Sequence, residues 1–425
     1  MAFSFEPGLD VARSLDREDP LARFRGEFFF PKQESGEPYV YLCGNSLGLQ
    51  PKGAERYLSE ELHAWRDLAV EGHFKGPRPW YDYHEFFTDS VARLVGAKPV
   101  EVVVMNGLTV NLHLLMASFY RPTKERYRIL IEESAFPSDR YAVRSQARFH
   151  GFTSDDAVIE FGPREGEDVL RTEDLERFLE EEGHSIALIL MGGVNFYSGQ
   201  AYDIPRITQA GHAAGCAVAF DLAHAAGNLA LQLHEWDVDF AAWCTYKYLN
   251  AGPGATACAF VHERFQSAPE LPRFAGWWGT DPKTRFQMAS EFQPQPGAAG
   301  WQLSNAPVFS MAPLRASLDV FDAAGIEALR AKAEKLSAYL MDLTDRLGDE
   351  RVQVITPRDP AARGCQVSLR LGERAHAVND ALTERGVICD YRRPDVIRVA
   401  PVPLYNSFED VWRFVEVLRE VLDGE

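Results

Sequence analysis

Short apolar runs and amphipathic stretches alternate along the middle of the chain, and their order predicts the architecture. Apolar runs at 102–105, 128–131, 157–161, 186–191 and 217–220 read as buried strands. Between them, apolar residues recur at helical spacing over 110–120, 138–149, 172–182 and 207–214. Such alternation predicts a mainly parallel sheet covered by helices on both faces. Two further strands, at 240–245 and 255–261, are separated by the turn-rich Asn250-Ala251-Gly252-Pro253-Gly254. That connection is too short for a parallel crossover, so the last of the seven strands is expected to run antiparallel.

The two ends of the chain follow a different rhythm. Residues 1–40 show no clear period and carry Pro20, Pro31 and Pro38 as breakers. A short strand, Tyr39-Val40-Tyr41-Leu42, then leads into Gly44-Asn45-Ser46-Leu47-Gly48, and Pro51 suits the first turn of a helix. After Asn305 a long helical stretch spans 313–347, interrupted near Gly325. Smaller strands and helices follow, ending in an amphipathic helix at 408–422. The expected organisation is a large α/β domain over 51–309 and a smaller α/β domain made of 1–50 with 310–425.

Composition narrows the function class. The 425 residues are 46% hydrophobic and 25% charged, as in an ordinary globular protein. A formal net charge of −18 repels nucleic acid and anionic membrane surfaces, so neither is expected as a partner. No run approaches the ~20 apolar residues that span a bilayer. Residues 1–10 lack the basic patch and apolar run of a secretion signal. The six cysteines, at 43, 216, 244, 258, 365 and 389, form no Cys-x-x-Cys pair, and no His-Glu-x-x-His occurs. Neither a metal site nor a disulfide framework is indicated, and a reducing cytoplasm fits.

Candidate chemistry sits at strand ends, where ligands of open parallel sheets bind. The strand at 217–220 ends in Asp221, followed by Leu222-Ala223-His224, and the strand at 240–245 ends in Tyr246-Lys247. A carboxylate and an amine at one edge of one sheet are what pyridoxal 5'-phosphate needs. Its aldehyde takes a lysine amine, and its pyridine nitrogen takes a carboxylate that keeps it protonated. Its phosphate needs backbone donors, which a helix N-terminus supplies, and Gly107-Leu108-Thr109 stands where a strand feeds a helix. Each residue alone has an ordinary explanation: a surface lysine, a turn aspartate, and a core ring at Phe136. Their ordered co-occurrence is what points to the cofactor.

The strings around these residues resemble the kynureninase family. They are Phe220-Asp221-Leu222-Ala223-His224-Ala225 and Tyr246-Lys247-Tyr248-Leu249-Asn250-Ala251-Gly252, with Gly44-Asn45-Ser46-Leu47-Gly48, Gly72-His73, Phe136-Pro137-Ser138-Asp139, Gly276-Trp277, Ser304-Asn305 and Ile397-Arg398-Val399-Ala400-Pro401. The resemblance covers nearly the whole chain. It implies a fold-type-I pyridoxal-phosphate enzyme, a homodimer with shared active sites, acting in tryptophan catabolism. The implied reaction is hydrolysis of L-kynurenine, or its 3-hydroxy derivative, to the anthranilate and L-alanine by Cβ–Cγ cleavage.

The resemblance also assigns roles. Lys247 would carry the cofactor and move the substrate α-proton, Asp221 would pair with the ring nitrogen, and Asp139 would lie nearby. Phe136 would stack on the ring, with His224 beside it. Leu108, Thr109 and Tyr246 would hold the phosphate side, with Trp277 and Asn305 reaching in from the partner chain, and Tyr246 would donate a proton. Arg398 would clamp the substrate carboxylate, and Ser46, His73 and Asn305 would surround the aryl ketone. One departure is Gly192, where the family often has a small hydroxyl residue, so one cofactor hydrogen bond is expected to be missing or taken by water.

Other readings stay open at this point. Arg398 alternates with apolar neighbours and also suits a solvated edge, His73 suits an exposed loop, and Trp277 and Trp278 suit a subunit interface. A cysteine desulfurase or selenocysteine lyase would need a mobile thiol. Cys389 lies in an apolar run, and Cys365 is the weaker candidate. A class V aminotransferase and a catalytically silent relative share the same site residues. Gly44-Asn45-Ser46-Leu47-Gly48 also matches the Gly-x-Ser-x-Gly of a serine hydrolase.

Overall fold

The structure is a computed structural model and describes residues 8–266, 268 and 271–424. Residues 1–7, part of the segment read as lacking a secretion signal, lie outside the described residues. Its centre is a seven-stranded sheet in the order Val102–Val104, Cys258–Val261, Phe240–Trp243, Ala217–Asp221, Ile186–Gly192, Arg128–Glu132 and Val158–Phe161. Neighbouring strands pair in parallel except Cys258–Val261, which runs antiparallel to both its neighbours, as the short connection requires.

Strand alternation divides the core. Val102, Leu130, Val218, Phe220, Ala241 and Phe260 face one cluster. Val103, Ile129, Ile131, Ala219, Ala242 and Ala259 face the other. Both faces are apolar because helices cover both. On one face lie Leu108–Phe119 and Pro137–Phe149, and on the other Thr172–Glu182 and Ile204–Ala213.

The carboxyl ends of the parallel strands form one edge. Gly192, Asp221 and Ala242 stand side by side in register there. Glu132 ends the next strand along.

A second core joins Val40 and Leu42 to residues from 336 onward, including Leu369, Val399 and Phe414. Here the four-stranded antiparallel sheet Asp390–Arg392, Val396–Val399, Val367–Arg370 and Gln353–Val354 packs under helices. The long helical stretch is two helices, Val308–Ala324 and Ile326–Arg346, broken at Gly325 with φ of 77°.

Two expectations need correcting. Residues 1–40 are not irregular throughout: Leu9–Glu18 is an α-helix. Its Asp16 carboxylate accepts the Phe408 and Glu409 N–H groups at 2.7 and 3.0 Å, so it caps the distant C-terminal helix Phe408–Asp423. Pro51 does not enter the helix Gly53–Leu68; it precedes the N-cap residue Lys52. Among the described residues no helix is long and apolar enough to cross a membrane.

Candidate active site

The lysine is placed by a tightly pinned segment. After Trp243 the chain leaves the sheet, and the Thr245 hydroxyl donates to the Thr256 carbonyl at 2.7 Å. The Gly48 N–H donates to the Tyr246 carbonyl at 2.8 Å, and the Asn250 N–H to the Lys247 carbonyl at 3.0 Å. A Cβ on Gly48 would stand 2.4 Å from the Lys247 carbonyl oxygen, and one on Gly44 would stand 2.1 Å from the Tyr405 hydroxyl. The glycines of Gly44-Asn45-Ser46-Leu47-Gly48 are therefore there for close approach to the lysine loop and to Tyr405. The loop is not a strained turn presenting a serine.

Around Lys247 lies a cavity of about 280 Å³. It is lined by Gly107, Leu108, Thr109, Phe136, Asp139, Asp221, His224 and Tyr246, from helix starts, a strand end and the turns that follow strands. Lys247 Nζ is 3.1 Å from His224 Nε2 and 5.7 Å from the centroid of the Phe136 ring. Phe136, 42% exposed, meets Phe196 edge-on at 5.3 Å between centroids. The Asp221 carboxylate accepts the Ala223 N–H at 2.7 Å. The Thr109 and Ser138 hydroxyls are 2.8 Å apart, so the two helices starting at Leu108 and Pro137 bring their N-termini together at the cavity wall.

Burial sets the charge states. The His224 imidazole is held well below its ordinary pKa by burial and then by the Lys247 ammonium, so it is neutral. Asp139 is pushed well up by burial and by Asp221. Asp221 is raised by burial, and Lys247, the Ala223 N–H and Asp139 oppose that rise. Tyr246 is raised by burial and by the Cys244 thiol beside it, so its phenol keeps its proton.

These residues fit pyridoxal phosphate. The cavity offers a primary amine, a buried carboxylate on the same strand edge, and helix N-terminal N–H groups with a threonine hydroxyl for an anion. His224 Nδ1 is buried without a hydrogen-bond partner among the described residues, as expected of a group awaiting a ligand or water.

The other predicted residues gather elsewhere. Arg398, 1% exposed, pairs with Asp390 and donates from Nη1 to the Phe196 carbonyl at 2.9 Å, which ties it to the cavity wall. It is therefore a buried, partnered group and not a solvated edge residue. Arg392 donates to Asp390 at 2.9 Å and to the Ser46 hydroxyl at 3.4 Å, bringing Ser46 into the same cluster. His73, Trp277 and Asn305 do not line the Lys247 cavity of their own chain. They line a separate pocket of about 470 Å³ with Phe74, Tyr81 and Phe286.

Sequence reasoning missed Glu132, Ser138, Phe196, Asp390 and Arg392. For Glu132 a signal was present, a carboxylate ending an apolar strand four residues before Phe136. For Asp390 and Arg392 the signal is weaker, because only the antiparallel register brings Asp390 opposite Arg398. At Gly192 the backbone N–H donates to Glu132 Oε2 at 3.1 Å.

Two features carry no catalytic reading. Glu101, His234 and His262 form a mostly buried cluster outside the Lys247 cavity, but the two rings are stacked with centroids 4.9 Å apart. Rings stacked in this way do not aim in-plane lone pairs at one ion. Cys389 and Cys365 are buried, and burial pushes the Cys365 thiol up to about 12, the opposite of a reactive thiolate.

Comparison with known proteins gives one consistent answer. A family model described as the kynureninase C-terminal domain matches residues 329–418. A kynureninase of Myxococcus xanthus is 58% identical over 417 residues, covering 98% of each chain. One of Koribacter versatilis is 57% identical over 415 residues, again covering 98% of each chain. Among solved structures, a cysteine desulfurase of Thermococcus onnurineus matches with a TM-score of 0.75 at 18% identity, covering 100% of both chains. At that identity the likeness shows the fold, that of the fold-type-I pyridoxal-phosphate enzymes.

Proposed function

The chain belongs to the kynureninase family, and from that premise we propose how its residues share the hydrolysis of L-kynurenine. The protein is a pyridoxal-phosphate-dependent hydrolase of tryptophan catabolism that yields anthranilate and L-alanine. When bound, the cofactor supplies an electron sink for the charge left on the substrate carbons as their bonds break. The protein supplies binding, orientation and protons.

Lys247 Nζ anchors the cofactor and moves the proton of the substrate Cα. Asp221 would hold the ring nitrogen in its protonated form, with Asp139 hydrogen-bonded to Asp221. Phe136 would lie against the ring face, and His224 fixes Lys247 through Nε2. The first turn at Leu108 and Thr109, with the Tyr246 hydroxyl, holds the phosphate. Water adds to Cγ, which leaves as the anthranilate carboxylate, and Tyr246, kept as a phenol by burial, donates a proton to the Cβ left behind when the Cβ–Cγ bond breaks. Arg398 binds the substrate carboxylate, beside Ser46. Its Nε has no partner among the described residues, which leaves a donor available.

A second copy of the chain completes the site. The cavity mouth shows exposed Val110 and Phe136, and the pocket holding His73, Trp277 and Asn305 shows exposed Phe74 and Phe286. Two apolar, half-exposed surfaces on one chain are what an isologous dimer buries. Trp277 and Asn305 then reach the phosphate end, and His73 with Asn305 the aryl ketone. The division into 51–309 and 1–50 with 310–425 puts Lys247 and Asp221 in the large unit and Ser46 and Arg398 in the smaller one. Six unpaired thiols support a cytoplasmic location.

The observation that carries this reading is the shared cavity of about 280 Å³ that unites Lys247, Asp221 and the helix start at Leu108. Borohydride reduction of the holoenzyme, followed by peptide mapping, tests it. The cofactor is expected on the peptide containing Lys247, with anthranilate fluorescence appearing only in unreduced protein. Label on any other lysine overturns the assignment.

A further inference from the structure

Glu132 has no part in the roles above, yet it lines the same cavity as Lys247 and Asp221. It ends the strand Arg128–Glu132 and is 5% exposed. Its Oε2 accepts the Gly192 N–H at 3.1 Å, and a Cβ built on Gly192 would stand 3.0 Å from Oε1. The bare side of residue 192 is thus where the Glu132 carboxyl sits. Gly192 is in turn the register partner of Asp221, and Asp139 meets Asp221 from the first turn of its helix.

We propose that Glu132 is a positioning residue for the cofactor ring: seated on the Gly192 backbone, it completes a three-carboxyl cluster with Asp139 and Asp221 and sets how much negative charge Asp221 meets the ring nitrogen with. This rests on the cofactor placement given above and deepens it.

Three carboxyls in one water-poor site do not all ionise together, because each negative charge raises the proton affinity of the others. Asp221 has the strongest claim to the charge, since the Ala223 N–H favours its ionised form, as does the Lys247 ammonium before the cofactor binds and the protonated ring nitrogen afterwards. Asp139 is pushed well up by burial, by Asp221 and by Glu132. Glu132 is raised by burial to about 7, with Asp221 adding to the rise and the Gly192 N–H opposing it. The remaining groups facing the cluster hold fixed charge: burial keeps the Tyr246 phenol and the Cys244 thiol protonated. His224 is neutral, and Tyr202, raised by burial and by Glu132, stays a phenol whose oxygen accepts from Asn195 at 3.3 Å. Below neutrality Glu132 therefore holds a proton and Asp221 is the lone anion. Above it, Glu132 ionises, and a second negative charge tightens the hold on the ring-nitrogen proton.

The test compares wild type, Glu132→Gln and Glu132→Ala holoenzymes by the visible absorbance and circular dichroism of the bound cofactor, from about pH 5 to 9. Wild type is expected to show a spectral step within this range that Glu132→Gln lacks. Glu132→Gln is expected to keep wild-type cofactor affinity, as its amide still accepts from Gly192. Glu132→Ala leaves that N–H unpaired and is expected to weaken cofactor binding about tenfold. Superimposable pH titrations of wild type and Glu132→Gln overturn the proposal while leaving the cofactor placement intact. A wild type with no cofactor band overturns the placement itself.

Discussion

Lys247 Nζ and His224 Nε2 lie 3.1 Å apart inside a cavity that holds the imidazole neutral. A neutral ring offers Nε2 as an acceptor, so His224 directs the lysine without competing for its charge. A mechanism that needs Lys247 to swing between cofactor and substrate proton depends on that orientation.

Replacing His224 with Ala is therefore expected to lower kcat by up to about 100-fold, the scale of a small misplacement of a reacting group. Glutamine keeps an acceptor at that site and is expected to retain more activity than alanine. Steady-state anthranilate release checks both. Equal loss in the two variants would remove the orienting role.

Arg398 and Asp390 form a buried pair, and Arg392 shares the same carboxylate. Arg398→Lys keeps the charge but not the planar fork, so KM for the substrate should rise about tenfold or more with little change in fold stability. Asp390→Ala leaves the buried Arg398 guanidinium without its carboxylate and is expected to cost about 3–5 kcal/mol of stability. Urea midpoints and substrate titrations separate the two effects. The opposite pattern, with Arg398→Lys unfolding the protein and Asp390→Ala raising only KM, would refute it.

Gly48 and Ser46 separate two readings of one loop. A methyl on Gly48 would meet the Lys247 carbonyl at 2.4 Å and the Asn250 side chain at 2.3 Å, so Gly48→Ala must displace the lysine segment. Loss of cofactor binding is expected, seen as loss of the visible band. Ser46→Ala is expected to retain the cofactor band and to alter KM only. Were Ser46 a nucleophile, its removal would abolish turnover.

How much of this was legible in the sequence depends on the range of the interactions. The central sheet was readable because its inner strands are buried on both faces and therefore largely apolar, as in Ile186–Gly192. Asp221 and Lys247 were readable because Asp221 ends one strand and Lys247 follows closely on the end of the next. The helix Leu9–Glu18 was not, because it holds little apolar surface and earns its place by capping a helix some 390 residues away. Glu132 was missed for a related reason: its partner is a backbone N–H two strands' worth of sequence later, and the vacancy it fills is a missing side chain at Gly192. His73, Trp277 and Asn305 could be named only through resemblance, since one chain alone puts them in a different pocket from Lys247.

That separation predicts a subunit-mixing result. Lys247→Ala and Asn305→Ala proteins should each have little activity alone. If the site is shared, a hybrid dimer has one site with both native residues, so an equal mixture after exchange should recover about a quarter of wild-type activity. Additive residual activities with no recovery would mean that Asn305 serves its own chain or none.

The acid limb of stability offers a last test, centred on His84. Its side chain is 2% exposed, neither ring nitrogen has a partner among the described residues, and burial, aided by Arg285, pushes its pKa down to about 4. The unfolded chain binds the His84 proton at an ordinary value near 6.5, so between the two values the unfolded state takes up a proton that the folded state refuses. His84 therefore contributes stability that is fully present above about pH 6.5 and is lost as pH falls towards 4. The shift corresponds to about 3 kcal/mol. Phenylalanine at this position fills similar space and cannot titrate. Urea midpoints measured from about pH 7.5 down to 4.5 should fall less steeply for His84→Phe than for wild type. Parallel curves would show that His84 finds a partner or a route to solvent, and that the acid sensitivity of the fold lies elsewhere.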